Sequence, residues 1–286
     1  MPVLKYEQTT KKIAKLIEEG YGQGEGKDYR PFIDTIRVSS RGRVSRIKGW
    51  GGRVHHFLSD SETRLFYIYE FAGKEDIREH YPLLEGMEKI IPELDEELIK
   101  RLINQKTGEP LILTTTFLIT EKDENGDVSY FARSVKDYRQ LENKQVIDRY
   151  QIMKKFWESK GVDYGIITNK EIPLVVARNI EFIHPFFHLE EYGIGDEMQE
   201  FLKNRLVDMI GNGEAKQISK IFNMFDREFD NEGTGIAIYK HLLARKILKT
   251  NMYEEISLKQ PCNTVQIKSR AEVDDSGFDY KYANKL

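Results

Sequence analysis

The chain has 286 residues, a length that is generous for one domain and comfortable for two. Hydrophobic residues make up 40% and aromatic residues 11%, which is enough to fill real cores and excludes general disorder. The balance of 44 basic against 47 acidic residues excludes a uniformly basic nucleic-acid coat protein. Apolar runs are too short for a membrane span and Cys262 is the single cysteine, so we expect a cytoplasmic protein without disulfides or cysteine-built metal sites.

Although the whole chain is nearly neutral, its basic residues are concentrated near the amino terminus. Residues 1–58 hold twelve Lys or Arg and six Asp or Glu, and residues 37–53 hold six bases and no acid. Serine hydroxyls and glycine amides lie between these bases, and both groups are good partners for phosphate. We therefore predict that this stretch contacts DNA, although a solvated surface loop remains the plainer alternative. The predicted contact residues are Arg41, Arg43, Arg46, Lys48 and Arg53.

The first two thirds of the chain alternate between helical and extended patterns. In chain order the predicted elements begin with a helix over residues 9–19, a helix from the capping box of Ser59 and Glu62 to residues 71–73, and an extended segment over 76–83. A helical stretch over 85–104 follows, interrupted or restarted at Pro92. The remaining elements are a hairpin of residues 111–119 and 128–135, a helix over 141–160, a strand over 162–168 and a helix over 171–183. This order predicts a mixed α/β fold with one sheet covered by helices.

The last third of the chain has mainly helical patterns in place of the alternating helical and extended ones. Its predicted elements are helices over residues 197–210, 214–225 and 233–248, then a β-like segment over 254–268 with a turn at 261–263. Three helices and a hairpin predict a winged-helix domain. Its bases, which are Lys240, Arg245, Lys246 and Lys249, either meet DNA or form the charged face of a surface helix.

Two residues of the α/β part have both a chemical and a structural interpretation. Lys136 lies two residues after Ser134 on a predicted strand, across from the strand that bears Thr116, and its amine either serves a phosphate or is simply solvated. Glu62 either ligates Mg²⁺ from the first turn of its helix or only completes the capping box. Spacing alone favours the structural alternative for both residues.

Several short motifs occur in one order between residues 40 and 185. They are Arg46-Ile47-Lys48-Gly49-Trp50, Val54-His55-His56-Phe57-Leu58-Ser59, Asp76-Ile77-Arg78-Glu79-His80-Tyr81-Pro82-Leu83-Leu84, Phe117-Leu118-Ile119, Ser134-Val135-Lys136, Phe156-Trp157, Ile167-Thr168-Asn169-Lys170-Glu171-Ile172 and Asn179-Ile180. Together they resemble the TnsA family, the endonuclease subunits of heteromeric TnsA/TnsB/TnsC-type cut-and-paste transposases. The same motif order argues against a DNA-binding regulator unrelated to transposition.

The resemblance implies an architecture and a set of partners. It implies a restriction-endonuclease-like mixed sheet flanked by helices over residues 1–184, an α-rich winged-helix, partner-binding domain over 185–270 and a flexible tail over 271–286. The implied reaction is Mg²⁺-assisted hydrolysis of the phosphodiester at the 5′ ends of a transposon, with Mn²⁺ as a substitute. The implied partners are transposon-end DNA, a TnsB-like transposase and a TnsC-like ATPase regulator that binds the carboxyl-terminal region, with no membrane involved.

The resemblance also implies site residues. The family's catalytic cluster is a Glu on an early helix, an Asp on the first hairpin strand and Gln-x-Lys on the second strand. Glu62 and Lys136 match the first and last positions, whereas Thr116 stands at the position of the Asp and Ser134 at that of the Gln. The implied metal ligands are therefore Glu62, Thr116 and Ser134, with Lys136 beside the scissile phosphate. Loss of the Asp carboxylate predicts slow or absent cleavage, and a non-catalytic, DNA-binding assembly subunit is the alternative.

Overall fold

The computed structural model describes residues 9–38, 42–123, 125–267, 283 and 286. These residues form two compact units, of which the first ends at Ile172 and also includes Leu286, and the second begins at Pro173. This division lies before the predicted boundary at residue 184, so the helix that follows Pro173 belongs to the second unit. The predicted functional domains stay predictions, and most of the predicted tail over 271–286 falls outside the described residues.

The first unit begins with a helix and a separate hairpin. Helix α1 spans Thr10–Glu18, and strands β1 (Ser45–Lys48) and β2 (Val54–Phe57) pair antiparallel in a two-stranded sheet of their own. Helix α2 (Asp60–Phe71) follows β2 almost at once. The Ser59 hydroxyl accepts a hydrogen bond from the amide of Glu62 at 3.3 Å, which confirms the predicted helix start.

The central sheet has four strands in the order β3, β4, β5, β6. They are β3 (Asp76–Pro82), β4 (Thr114–Lys122), β5 (Val128–Lys136) and β6 (Asp163–Thr168). Strand β4 pairs antiparallel with both β3 and β5, and β6 runs parallel to β5. The predicted hairpin and the predicted strand over 162–168 are thereby confirmed.

The segment between β3 and β4 is less regular than the helical stretch predicted over 85–104. It contains two single-turn helices, α3 (Met87–Ile90) and α4 (Glu96–Ile99), each followed by a 3₁₀ turn. Pro92 lies in the first of these turns. Because proline lacks an amide hydrogen and clashes with the preceding turn, a continuous helix cannot pass through it.

Helices cover both faces of the central sheet. On one face, the ring of Tyr69 in α2 lies 5.7 Å from that of Phe117 and 5.8 Å from that of Phe131. On the other face, helix α5 (Lys144–Ser159) packs Met153 and Trp157 in one core cluster with Leu118. A mixed sheet flanked by helices fits the restriction-endonuclease-like fold that the motifs imply.

The second unit is helical with one minimal sheet. It contains α6 (Leu174–Ile183), α7 (Asp196–Gly211), α8 (Ile218–Phe229), α9 (Thr234–Ala244), β7 (Leu248–Lys249) and β8 (Gln266–Ile267). The winged-helix assignment stays a prediction. Along the described stretches of the chain, no helix combines the length and the apolar character needed to cross a membrane.

Two predicted elements of this unit are wrong at their ends. The helix predicted to reach residue 248 stops at Ala244, because Lys246 adopts φ +58° and the amide of Ile247 bonds back to the carbonyl of Leu242, which closes the helix. The β-like segment predicted over 254–268 is strand only at Gln266–Ile267. Pro261, which has no amide hydrogen, leads instead into a 3₁₀ turn.

Candidate active site

Strands β4 and β5 separate at the predicted site. Their paired residues run from Lys122 opposite Val128 to Phe117 opposite Arg133. Beyond the last pair, Thr116 Oγ1 accepts a hydrogen bond from the amide of Val135 at 2.9 Å. The side chain of Thr116 therefore replaces a backbone carbonyl as the acceptor for Val135, which lies between the predicted site residues Ser134 and Lys136.

Strand β3 is irregular directly beside this opening. His80 lies between the pairs Glu79–Phe117 and Tyr81–Thr115, and its φ is +51°, which is uncommon for a residue other than glycine. Its Nε2 lies 3.0 Å from the carbonyl oxygen of His56, which can only accept, so Nε2 carries the hydrogen and donates. The same nitrogen lies 3.9 Å from Oε2 of Glu62. His80 therefore links Glu62 to the part of the sheet that bears Thr116.

Glu62 helps to hold the entry to α2, as its predicted structural role requires, and its predicted role as a metal ligand stays a prediction. Its Oε2 accepts a hydrogen bond from the amide of Leu58 at 2.7 Å, one residue before the amide that a capping box would use. The side chain is mostly buried. One carboxylate oxygen is thus already engaged in holding the entry to α2, and the negative charge stands beside His80.

Ser134 points into the core below α5. Its side chain is buried, its hydroxyl accepts from Tyr164 at 2.9 Å, and it donates to Sδ of Met153 at 3.5 Å. Burial raises the pKa of Tyr164, which keeps the phenol protonated as the donor. Burial also raises the pKa of Tyr150 on α5.

Lys136 ends β5 opposite Thr168 and is partly exposed. The next residue, Asp137, is an acid that the sequence reasoning had not placed near the site. Both of its carboxylate oxygens accept from Arg139, at 2.9 and 2.6 Å. Hydrogen bonds from Arg139, and to a smaller extent the charge of Lys136, lower the pKa of Asp137 to about 2. Asp137 is therefore ionised but committed to Arg139.

The implied ligand residues do not fit a magnesium centre as the structure places them. Mg²⁺ is held in proteins by carboxylates and other oxygens in near-octahedral geometry. Glu62 is the single carboxylate of the implied set, while the hydroxyls of Thr116 and Ser134 are engaged with Val135 and with the core. Within the described ranges, no group of three or more His, Cys, Asp or Glu side chains could hold a metal ion. That the family's additional carboxylate belongs at position 116 stays a prediction.

Part of the predicted DNA-contacting stretch forms the hairpin β1–β2. Arg46 and Lys48 are exposed and two residues apart on β1, so they share one face of the hairpin. Arg43 is exposed and lies 3.7 Å from the carboxylate of Asp60. Arg41 lies outside the described residues. The exposed face of β1 therefore remains the best-supported part of the predicted contact.

Arg53 has a different role from the one predicted. Its two terminal nitrogens donate to the carboxylate of Glu79 at 2.9 and 2.8 Å, and one of them also donates to the carbonyl of Ile77. Only 9% of its side chain is exposed. We therefore remove Arg53 from the DNA-contact set. The signal was Glu79 itself, since an acid on a buried strand needs a cationic partner.

Two of the four predicted bases of the second unit, Lys240 and Arg245, lie against aromatic rings of the same unit. Lys240 Nζ is 3.8 Å from the ring centre of Phe182 and 4.5 Å from that of Phe186. The guanidinium of Arg245 lies 3.7 Å from the ring centre of Phe187 and donates to its carbonyl. These contacts are cation–π interactions within the unit, so they favour a structural role over DNA contact.

Comparisons with known proteins agree with the motif order. Residues 75–169 match the family "TnsA-like endonuclease N terminal", and residues 171–252 match "TnsA endonuclease C terminal". The transposon Tn7 transposition protein TnsA of Escherichia coli is 31% identical over 245 residues, which cover 85% of this chain and 86% of that protein. Two consecutive family matches and a relative matched over most of its length establish the assignment: the chain belongs to the TnsA-like endonuclease family of transposition proteins.

Proposed function

We propose that this chain is a TnsA-type subunit of a DNA transposition complex acting at transposon ends, and that its own cleavage of the 5′ ends is slow or absent. The observation that carries the second part is the hydrogen bond from Val135 to the Thr116 hydroxyl, at the point where β4 and β5 separate. A hydroxyl stands where the family places a carboxylate. The mixed sheet flanked by helices fits a restriction-endonuclease-like fold, which supports the first part of the proposal.

The chemistry of phosphodiester hydrolysis explains why this position matters. A metal ion, when bound, polarises the phosphate and lowers the pKa of an attacking water. Lys136 at the end of β5 would stabilise the charge that develops on the phosphate. Glu62 supplies one of the one or two carboxylates that Mg²⁺ usually takes in proteins, so without the Asp of the family pattern this site has less negative charge to hold the ion.

The proposed partners follow from the family. Transposon-end DNA would lie against the exposed face of β1, where Arg46 and Lys48 provide phosphate contacts. A TnsB-like transposase would cut and join the 3′ ends, and a TnsC-like ATPase regulator would bind the second unit, for which we retain the winged-helix proposal. Delivery by partners suits a chain whose net charge is −3.

The test is Thr116→Asp, which adds the missing carboxylate. We expect nicking of transposon-end DNA, measured with Mg²⁺ and the partner transposase, to rise by at least about a hundredfold, since metal-bound transition states depend steeply on the charge that holds the ion. Ser129→Asp is the matched control, because it places the same charge on an exposed position of the same hairpin. Equal cleavage by the wild-type and Thr116→Asp proteins would show that position 116 is not a ligand position.

The second candidate function is a non-catalytic assembly subunit that binds DNA through a nuclease fold. The observation in its favour is that no three His, Cys, Asp or Glu side chains of the described residues form a group that could hold a metal ion. This function predicts that Thr116→Asp does not cut, while the wild-type protein still increases DNA joining by the partner transposase. A titration of the Thr116→Asp protein with Mn²⁺ separates the two candidate functions. The weakened endonuclease predicts that this protein binds the ion at Glu62, and the non-catalytic subunit predicts that it does not.

A further inference from the structure

The hairpin that carries the proposed DNA contacts needs an anchor. It is a two-stranded sheet separate from the central sheet, and an isolated two-stranded hairpin is marginally stable in water. At one end, the ring of Phe57 lies 4.9 Å from that of Phe66 on α2. At the turn, Glu70 accepts a hydrogen bond from the amide of Trp50. The middle of the hairpin is held by a polar cluster instead.

Glu79 of β3 is the centre of that cluster and is completely buried. Its Oε1 accepts from Arg53 at 2.9 Å and from the amide of His56 at 3.1 Å, while Oε2 accepts from Arg53 at 2.8 Å and lies 3.0 Å from Nδ1 of His55. Burial opposes ionisation, but the charges and hydrogen bonds of His55 and Arg53 outweigh it and hold the pKa of Glu79 well below its ordinary value. All four contacts are to strand β2 or to the residue before it.

His80 follows Glu79 and reaches the same side of the sheet. Consecutive side chains of a regular strand point to opposite faces, but the positive φ of His80 interrupts that alternation. Its imidazole donates to the carbonyl of His56 on the hairpin and lies 3.9 Å from Glu62 on α2. Two adjacent residues thus hold the hairpin, and the second of them also borders the cleavage-site carboxylate.

We propose that Glu79 and His80 are positioning residues that keep the hairpin β1–β2 and the Glu62 carboxylate in one fixed arrangement. The proposal rests on the proposed function, because a fixed arrangement sets the distance from phosphates bound at Arg46 and Lys48 to the site. Stability alone does not require such a cluster, since well-packed apolar residues replace buried ion pairs with little loss. Neither residue needs to touch DNA, because each acts through the element it holds.

The first experiment removes the ion pair between Glu79 and Arg53 without leaving a buried charge. Glu79→Gln alone leaves the buried charge of Arg53 without a partner carboxylate, so the test protein combines Glu79→Gln with Arg53→Met. In the full-length, DNA-free protein we expect the amide of His56 to exchange with solvent at least about tenfold faster, with the amides of α5 unchanged. Glu75→Gln, the same change at an exposed neighbour, is the control and leaves the His56 amide as it is. Equal His56 exchange in the double variant and the wild type would overturn the role of Glu79.

The second experiment separates the imidazole of His80 from its backbone conformation. His80→Gly keeps the left-handed backbone and removes the ring, whereas His80→Asn tolerates the same backbone and restores an N–H donor. We expect the amide of Leu58, which donates to Glu62, to exchange faster in the glycine variant and to recover in the asparagine variant. Unchanged Leu58 exchange in His80→Gly would overturn the role of His80.

Cleavage then distinguishes positioning from folding. In the Thr116→Asp background, His80→Gly should lower the cleavage rate at saturating DNA roughly tenfold or more without weakening DNA binding. The protein with Glu79→Gln and Arg53→Met should bind DNA more weakly. The proposal would be overturned if His80→Gly weakened DNA binding while the double variant lowered only the cleavage rate. Hydrogen exchange is measured in the protein without DNA. If the Thr116→Asp protein fails to bind or cut DNA, that result contradicts the proposed function. The exchange results then still decide whether Glu79 and His80 have positioning roles.

Discussion

The hydroxyl of Thr116 accepts a hydrogen bond from the amide of Val135 at 2.9 Å, and this contact joins β4 to β5 just where their ladder ends. It has a chemical consequence for position 116. A carboxylate accepts a hydrogen bond from a backbone amide at least as well as a hydroxyl does. An aspartate at position 116 could therefore keep this contact with the Val135 amide.

The same contact predicts the stability of two Thr116 variants. Thr116→Val keeps the shape of the side chain but leaves the buried Val135 amide without its acceptor, which should cost about 1–3 kcal/mol of unfolding free energy. Thr116→Ser keeps the oxygen and should lie close to the wild type. Urea denaturation monitored by fluorescence measures both. A valine variant as stable as the serine variant would show that the amide finds another partner.

The exposed face of β1 predicts a salt dependence. Replacing both Arg46 and Lys48 by Gln should reduce the log–log slope of DNA binding against salt by roughly 0.9 for each phosphate contact that is lost. The matched control replaces Lys11 and Lys12, two exposed bases of α1, by Gln. Filter binding or fluorescence anisotropy at several salt concentrations gives the slopes. If both double variants keep the wild-type slope, the hairpin does not face DNA.

The buried Glu79 carboxylate predicts a pH dependence of stability. Its pKa in the folded chain lies well below the ordinary 4.5, so as pH falls below 4.5 the unfolded chain takes up a proton that the folded chain does not. The stabilisation by Glu79 is therefore complete above that pH and declines as the solution becomes more acidic. Relative to Glu79→Gln, the wild type should be more stable by about 3–5 kcal/mol at neutral pH. That difference should shrink steadily between pH 4.5 and pH 3, whereas a constant difference would mean that Glu79 is not ionised in the folded chain.

Local signals in the sequence were sufficient for several elements. Ser59 and Glu62 predicted the start of α2 because a capping box acts over three residues. The turn at residues 123–127 predicted the hairpin of β4 and β5, and it is held by local bonds from the amides of Asn125 and Asp127 to Asp123. The order of motifs then identified the family. All of these features depend on residues that are close in the chain or on their order.

Contacts between distant segments were beyond such reasoning. Arg53 and Glu79 are 26 residues apart, and nothing in the spacing of the bases distinguished a buried arginine from an exposed one. The positive φ of His80 depends on contacts with β2 and α2 rather than on its neighbours in sequence. Similarly, Ser134 was correctly placed on β5, but its direction into the core depends on Tyr164 and Met153.

The second unit supplies the last prediction, at a residue that explains why the predicted strand over 254–268 did not form. Buried Asn179 on α6 donates to the carbonyls of Met252 and Glu254 at 2.9 and 2.7 Å, and it accepts from the amide of Ile256 at 3.1 Å. Backbone groups engaged in this way are not available to a strand ladder.

Asn179→Ala should therefore destabilise the second unit by at least about 2 kcal/mol, because three backbone groups lose their partner at once. Hydrogen exchange of the Ile256 amide reports on this unit separately, which matters because unfolding of a two-unit chain need not be two-state. Arg178→Ala is the control, since its exposed side chain makes only a 3.9 Å surface ion pair with Glu255 and should change stability by less than about 0.5 kcal/mol. If the two alanine variants show the same Ile256 exchange, Asn179 does not hold the segment, and the loss of the predicted strand must be traced to Pro261 and its turn instead.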